Sequence, residues 1–159
     1  MATVVRPFIP ADTDRVVELS LAAWEPVFAS FRDVIGADLY ERVHPDWRVA
    51  QAESVRDALR SNDTWVSTTD GAISGFVNVT FDPGERSGEI YMIAVDPAYQ
   101  QRGIASLLTE HALDEMRARG LDLAIVATGG DPGHAPARAT YEKAGFTGCP
   151  QVWYAKQLI

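Results

Sequence analysis

The spacing of apolar positions changes rhythm several times along the chain. Residues 3–9, TVVRPFI, are rich in β-formers and read as a short strand, with Pro7 suited to an edge or an end. Asp12 suits a helix N-cap, and Val16, Val17, Leu19, Ser20, Ala23 and Trp24 follow as a helical stripe. Pro26 is expected to end or kink that helix, because proline lacks the amide donor and crowds the carbonyl four residues back. A weaker helical pattern covers 27–44, with Phe28, Phe31, Ile35, Leu39 and Tyr40, and Pro45 breaks it. A third helix is expected from about 46 to 60.

The pattern then turns to strands. Residues 64–69 are β-rich, Asp70-Gly71 is a turn signal, and 73–81 reads as the partner strand. Gly75 inside that strand marks a bulge or a close backbone approach. A turn at Asp82-Pro83-Gly84 leads to a third strand over 89–95, closed by Asp96-Pro97. Residues 102–119 give the clearest helix, with Ile104, Leu107, Leu108, His111, Ala112 and Met116 on one stripe and Gly120 as its stop. A buried-looking strand over 121–128, a glycine-rich loop over 129–133, a short helix over 135–144 and a last strand over 151–158 complete the order. The expectation is one mixed α/β domain spanning 1–159.

Composition narrows the function classes. The net charge of -8, with no cluster of lysine and arginine, argues against a nucleic-acid partner. No stretch approaches the roughly 20 apolar residues of a membrane span, and the N-terminus carries no signal-peptide pattern. The single cysteine, Cys149, excludes an internal disulfide and a cysteine-cluster metal site, and makes a cytoplasmic setting the default. His44 and His111 lack metal-ligand spacing, so no metal is expected.

Chemistry concentrates in residues 89–106, EIYMIAVDPAYQQRGIAS. A strand runs into a tight turn, and the turn opens the long helix. A helix start leaves about four backbone amides without partners and carries a partial positive charge, which suits a diphosphate. Gly103 and Ala105 lack bulk where backbone must approach phosphate, and Arg102 adds a cation. Neither a Gly-Lys-Ser/Thr loop nor a dinucleotide-binding glycine fingerprint is present.

Gln100, Gly103 and Ala105 match Gln/Arg-x-x-Gly-x-Gly/Ala, and the run resembles that motif of the GCN5-related N-acetyltransferase (GNAT) superfamily. Residues 134–146, HAPARATYEKAGF, resemble its Asn-x-x-Ala-x-x-x-Tyr-x-x-x-Gly-Phe helix, with Tyr141, Gly145 and Phe146 in place and His134 where the family has asparagine. The resemblance implies a mostly antiparallel sheet, splayed between strands four and five and flanked by helices. It implies acetyl-CoA as cosubstrate, its pyrophosphate on the amides of Gln101, Arg102, Gly103, Ile104, Ala105 and Ser106. The pantetheine arm would pair with the backbone of Ile93, Ala94 and Val95.

His134 either contacts the pantetheine or caps its helix. Tyr141 would protonate the leaving thiolate, the alternative being a tyrosine that packs on the sheet. Glu89 is the candidate base; alternation puts it on one strand face with Tyr91, Ile93 and Val95, although a glutamate at a strand start is commonly just solvated. By resemblance the acceptor site draws on the first helices, where Trp24 and Phe28 are either its walls or core packing.

The implied reaction is acetyl transfer to a primary amine of a small molecule. A protein or peptide amine acceptor and a non-catalytic acyl-CoA-binding module are the rival readings. Members of the family are often dimers, so the resemblance admits a homodimer.

Overall fold

In the computed structural model, which describes residues 2–159, the strands lie side by side in chain order. They are β1 (Thr3–Pro7), β2 (Asp63–Thr69), β3 (Ala72–Asp82), β4 (Ser87–Val95) and β5 (Leu123–Val126). β1 to β4 pair antiparallel, and β5 joins β4 in parallel. The helices are α1 (Thr13–Ile35), α2 (Ala37–Val43), α3 (Trp47–Ser61), α4 (Ile104–Ala118) and α5 (Ala135–Lys143).

Each face of the sheet has its own core. One packs Val77, Val79, Ile90 and Val95 against Ile104, Leu108, Ala112 and Met116 of α4. The other packs Val66, Phe76 and Ala94 against Val16, Val17 and Leu19 of α1 and Val55 and Leu59 of α3. Val16, Val17, Leu19, Ile104, Leu108, Ala112 and Met116 of the stripes seen in the sequence fill these layers, whereas Leu107 is exposed. Gly75 sits beside a register shift in β2–β3, and a Cβ there would lie 2.9 Å from the Ala94 carbonyl oxygen and 3.1 Å from Leu108. It therefore serves both uses the sequence suggested.

Three expectations are corrected. Pro26 does not end α1, which runs on to Ile35 with the proline inside it. The lost hydrogen bond costs a helix interior about 3 kcal/mol. Burial of Val16, Val17 and Leu19 before the proline and of Val27 after it offsets that cost. The break falls instead at Gly36, whose φ of +85° only glycine adopts readily.

The second correction is at 151–158, which forms no strand; Val152, Trp153, Tyr154 and Leu158 are exposed. A strand needs a partner edge, and β5 has only four residues, paired on the β4 side. The third concerns Glu89. A register shift pairs Val79 with Ile90 and Asn78 with Met92, leaving Tyr91 as an extra residue. Alternation reverses there, so Ile90, Ile93 and Val95 share the α4 face while Glu89 turns to the α1–α3 face.

Candidate active site

β4 and β5 pair only from Ser87–Leu123 to Ile90–Val126. Beyond that point they part, and residues 92–95 keep β3 as their sole strand neighbour. The Asp96 amide donates to the Ser74 carbonyl at 2.8 Å. Antiparallel pairing alternates, so Ala94 also spends its backbone groups on β3, while those of Ile93 and Val95 point into the gap. Of the three residues expected to offer backbone there, Ile93 and Val95 thus face the gap, while Ala94 borders it with its backbone turned to β3. The Val95 carbonyl already accepts from the Gln100 side-chain amide at 3.0 Å, which ties the following turn to the strand end.

The turn is held from below by Asp96. Its carboxylate accepts from the Ala98 amide at 2.8 Å and pairs with the Arg15 guanidinium of α1. Burial works to raise the Asp96 carboxyl, but the Arg15 and Ala98 hydrogen bonds outweigh it and hold the group below the usual carboxylate range. Gln101 and Gly103 then adopt left-handed backbone, with φ of +62° and +79°. Gly103 is the N-cap of α4 and has no side chain to cap it, so the first amides of this 15-residue helix are left for a ligand.

Gap, turn and α5 enclose a cavity of about 430 Å³. Ile93, Ala94 and Val95 line it, as do Gln101, Gly103, Ile104, Ala105 and Ser106. Trp24, His134 and Tyr141 line it as well, so most of the candidate residues converge. Arg102 is not among the lining residues; its guanidinium lies 5.6 Å from the Tyr99 ring centre. Phe28 also stands outside, stacked on Trp47 at 4.3 Å and edge-on to Phe31 and His44, so it packs α1 on α2 and α3. Glu89 does not line the cavity either.

Tyr141 is 8% exposed and packs edge-on to Phe146. Burial pushes its phenol up to about 12, so it keeps its proton throughout the neutral range. No described residue hydrogen-bonds its hydroxyl, which leaves that group for whatever enters the cavity.

The sequence reading missed Ser30, Asp131 and the setting of His134. His134 Nδ1 is hydrogen-bonded to one oxygen of Asp131, and the Ser30 hydroxyl donates to the other at 2.7 Å. A loop of glycine, aspartate and proline carries little chemical signal, and nothing in the sequence announces that a serine a hundred residues earlier meets it. Among the described residues no group of His, Cys, Asp and Glu could hold a metal, and no helix is long and apolar enough to cross a membrane.

Comparison with known proteins agrees with this geometry. Residues 28–146 match the family described as Acetyltransferase (GNAT) family. Mycothiol acetyltransferase of Beutenbergia cavernae is 36% identical over 113 residues, covering 65% of this chain and 36% of that protein. The chain thus spans about a third of the length of that relative. A ribosomal-protein alanine N-acetyltransferase from Escherichia coli superimposes with a TM-score of 0.69 at 18% identity, over 94% of this chain and 80% of its own. An N-acetyltransferase from Thermoplasma acidophilum, solved in complex with coenzyme A, gives a TM-score of 0.67 at 14% identity, over 92% and 91%. The two solved structures share the fold, and the family match extends over most of the chain: this protein belongs to the GNAT acetyltransferase family.

Proposed function

We propose that the protein transfers the acetyl group of acetyl-CoA to a primary amine of a small molecule. The observation that carries the reading is convergence. One cavity is bordered by the open backbone of Ile93 and the open amide of Val95, the uncapped amides of α4 and the unpartnered hydroxyl of Tyr141. The cradle also fits the group chemically. Gly103 projects no Cβ into it, and nothing lies within 4 Å of where that atom would be.

The amides of residues 103–106 would hold the diphosphate, with the helix dipole favouring its charge. The backbone of Ile93 and Val95 would orient the pantetheine and stabilise charge on the thioester oxygen. Tyr141 would give its proton to the departing sulfur; acting on a thiolate, so weak an acid must donate through a hydrogen bond already made. A small-molecule acceptor is supported by the names of the curated relatives, which are mycothiol acetyltransferases.

The test is thiol release when the protein is mixed with acetyl-CoA and a panel of small amines and short peptides. Amine-dependent release is expected, greatest with a small molecule. Release with peptides alone would move the acceptor to a polypeptide. Heat of coenzyme A binding without any release would leave only a binding module.

A further inference from the structure

Amine acetylation needs a proton acceptor, and the carboxylate expected in that role, Glu89, does not line the cavity. We propose that His134 is the base, with its Nε2 taking the proton of the incoming amine while Asp131 and Ser30 position the ring. The proposal rests on the acetyltransferase reading and supplies the group that reading lacks.

The arrangement of the ring carries the argument. A carboxylate can only accept, so Nδ1 bears the hydrogen that meets Asp131, and the lone pair of the neutral imidazole falls on Nε2. No described residue bonds Nε2, and His134 borders the cavity together with Tyr141. Asp131 is held in turn. Its second oxygen accepts from the Ser30 hydroxyl at 2.7 Å and from the Gly133 amide at 3.1 Å. The Gly133 amide also reaches the Ser30 oxygen at 2.9 Å.

The loop is shaped around this pair. A Cβ on Gly129 would lie 2.5 Å from His134 Nδ1, and one on Gly133 would lie 2.7 Å from the Ser30 Cβ. Arg138 clamps the loop from α5 through the carbonyls of Gly129 and Asp131, each at 2.7 Å. A helix cap would need none of this, and the His134 side chain makes no capping hydrogen bond.

The titratable groups around the ring are few. Asp131 shares its loop, and Arg138 and Tyr141 come from α5. From α1 the ring meets uncharged Phe31 at 5.6 Å, and His44 after α2 stacks on Phe31 at 5.5 Å. The proton balance closes. An ammonium N–H breaks as Nε2–H forms, and the freed nitrogen pair makes the new C–N bond while the carbonyl pair moves to oxygen. When the C–S bond breaks, Tyr141 protonates sulfur and recovers a proton from the acylated nitrogen. The imidazolium releases its proton to water, so one amine cation and one thioester give one amide, one thiol and one proton.

The test joins kinetics with ring spectroscopy. Turnover of the amine panel is measured against pH for the wild type, His134→Gln and Asp131→Asn, with coenzyme A affinity measured by calorimetry. Expected for His134→Gln is a loss of about 100-fold in kcat, disappearance of the acidic limb, and coenzyme A affinity within threefold. Asp131→Asn removes the carboxylate that fixes the ring, so kcat should fall while coenzyme A affinity stays within threefold. Nitrogen-15 spectra of histidine-labelled protein should show His134 carrying its hydrogen on Nδ1.

Turnover retained by His134→Gln overturns the proposal. So does a loss that tracks weakened coenzyme A binding, or a hydrogen found on Nε2. Failure of the acetyltransferase reading is separate, because it shows as absent thiol release by the wild type; it takes this proposal with it.

Discussion

The turn at 100–104 and the loop at 129–134 border the same cavity, the first presenting backbone and the second presenting side chains. In the turn, two left-handed residues and an uncapped helix start supply amides from one stretch of sequence. In the loop, the working groups come from Ser30, Asp131 and His134, and their partnership exists only after α1 and the loop have packed. The contrast separates binding from chemistry. Damage to the turn should be felt in affinity for the cofactor, and damage to the loop in turnover.

Four substitutions can break or sharpen that division. Tyr141→Phe removes the proposed proton donor beside the loop and should lower kcat about 100-fold while coenzyme A affinity stays within threefold by calorimetry. Gly103→Val forces a β-branched residue into left-handed backbone at a cost of order 1–3 kcal/mol, so coenzyme A binding should weaken about tenfold or more with saturated turnover largely kept. Gly133→Ala pushes a methyl group against Ser30; about tenfold loss of kcat at unchanged affinity is expected, in keeping with a positioned group moved off its mark. Ser30→Ala should have the smallest effect, a few-fold in kcat and about 1 kcal/mol in urea unfolding. If Gly133→Ala weakened coenzyme A binding as much as Gly103→Val does, the division of labour would be wrong.

Acid unfolding tests the loop and the turn together. At Asp131 burial works to raise the carboxyl, but the hydrogen bonds from His134 and Ser30 outweigh it and hold the group low. Asp96 is held low by Arg15 in the same way. Carboxylates with depressed folded values contribute stability that is present above about pH 4 and is lost as pH falls through their folded values. Melting followed from pH 6 downward should therefore show a steep loss below about pH 4, blunted in Asp131→Asn. Tyr141 works in the other direction: its raised phenol contributes stability below about pH 10 that disappears as pH climbs toward 12.

What the sequence made legible follows the same contrast. The strand-turn-helix at 89–106 could be read because its function resides in local backbone, and backbone conformation leaves marks such as Gly103. Three of the candidates it named stand outside the cavity, Glu89 and Phe28 for nonlocal reasons. An unpaired Tyr91 turns Glu89 to the other face, and no run of letters announces a bulge. Phe28 is drawn into a stack by Trp47, and the Arg102 guanidinium rests on the Tyr99 ring. Pro26 misled most. Read as a stop, it would have severed the helix before Ser30, whereas packing on both sides of it carries Ser30 and Phe31 to the loop. The last strand failed because alternation states a preference and not a partner.

Gly88 has a bearing on the cradle although it lies far from it in the chain. A Cβ there would sit 2.7 Å from Met116, so the bare backbone of β4 lets the tail of α4 bed directly against the sheet. With Leu108 and Ala112 fully buried along its length, the helix behaves as a strut braced at its base. That packing opposes sliding or tilting of its positive pole. On the proposed reading, a diphosphate would meet a receptor already assembled, with little of its attraction consumed in setting the receptor in order.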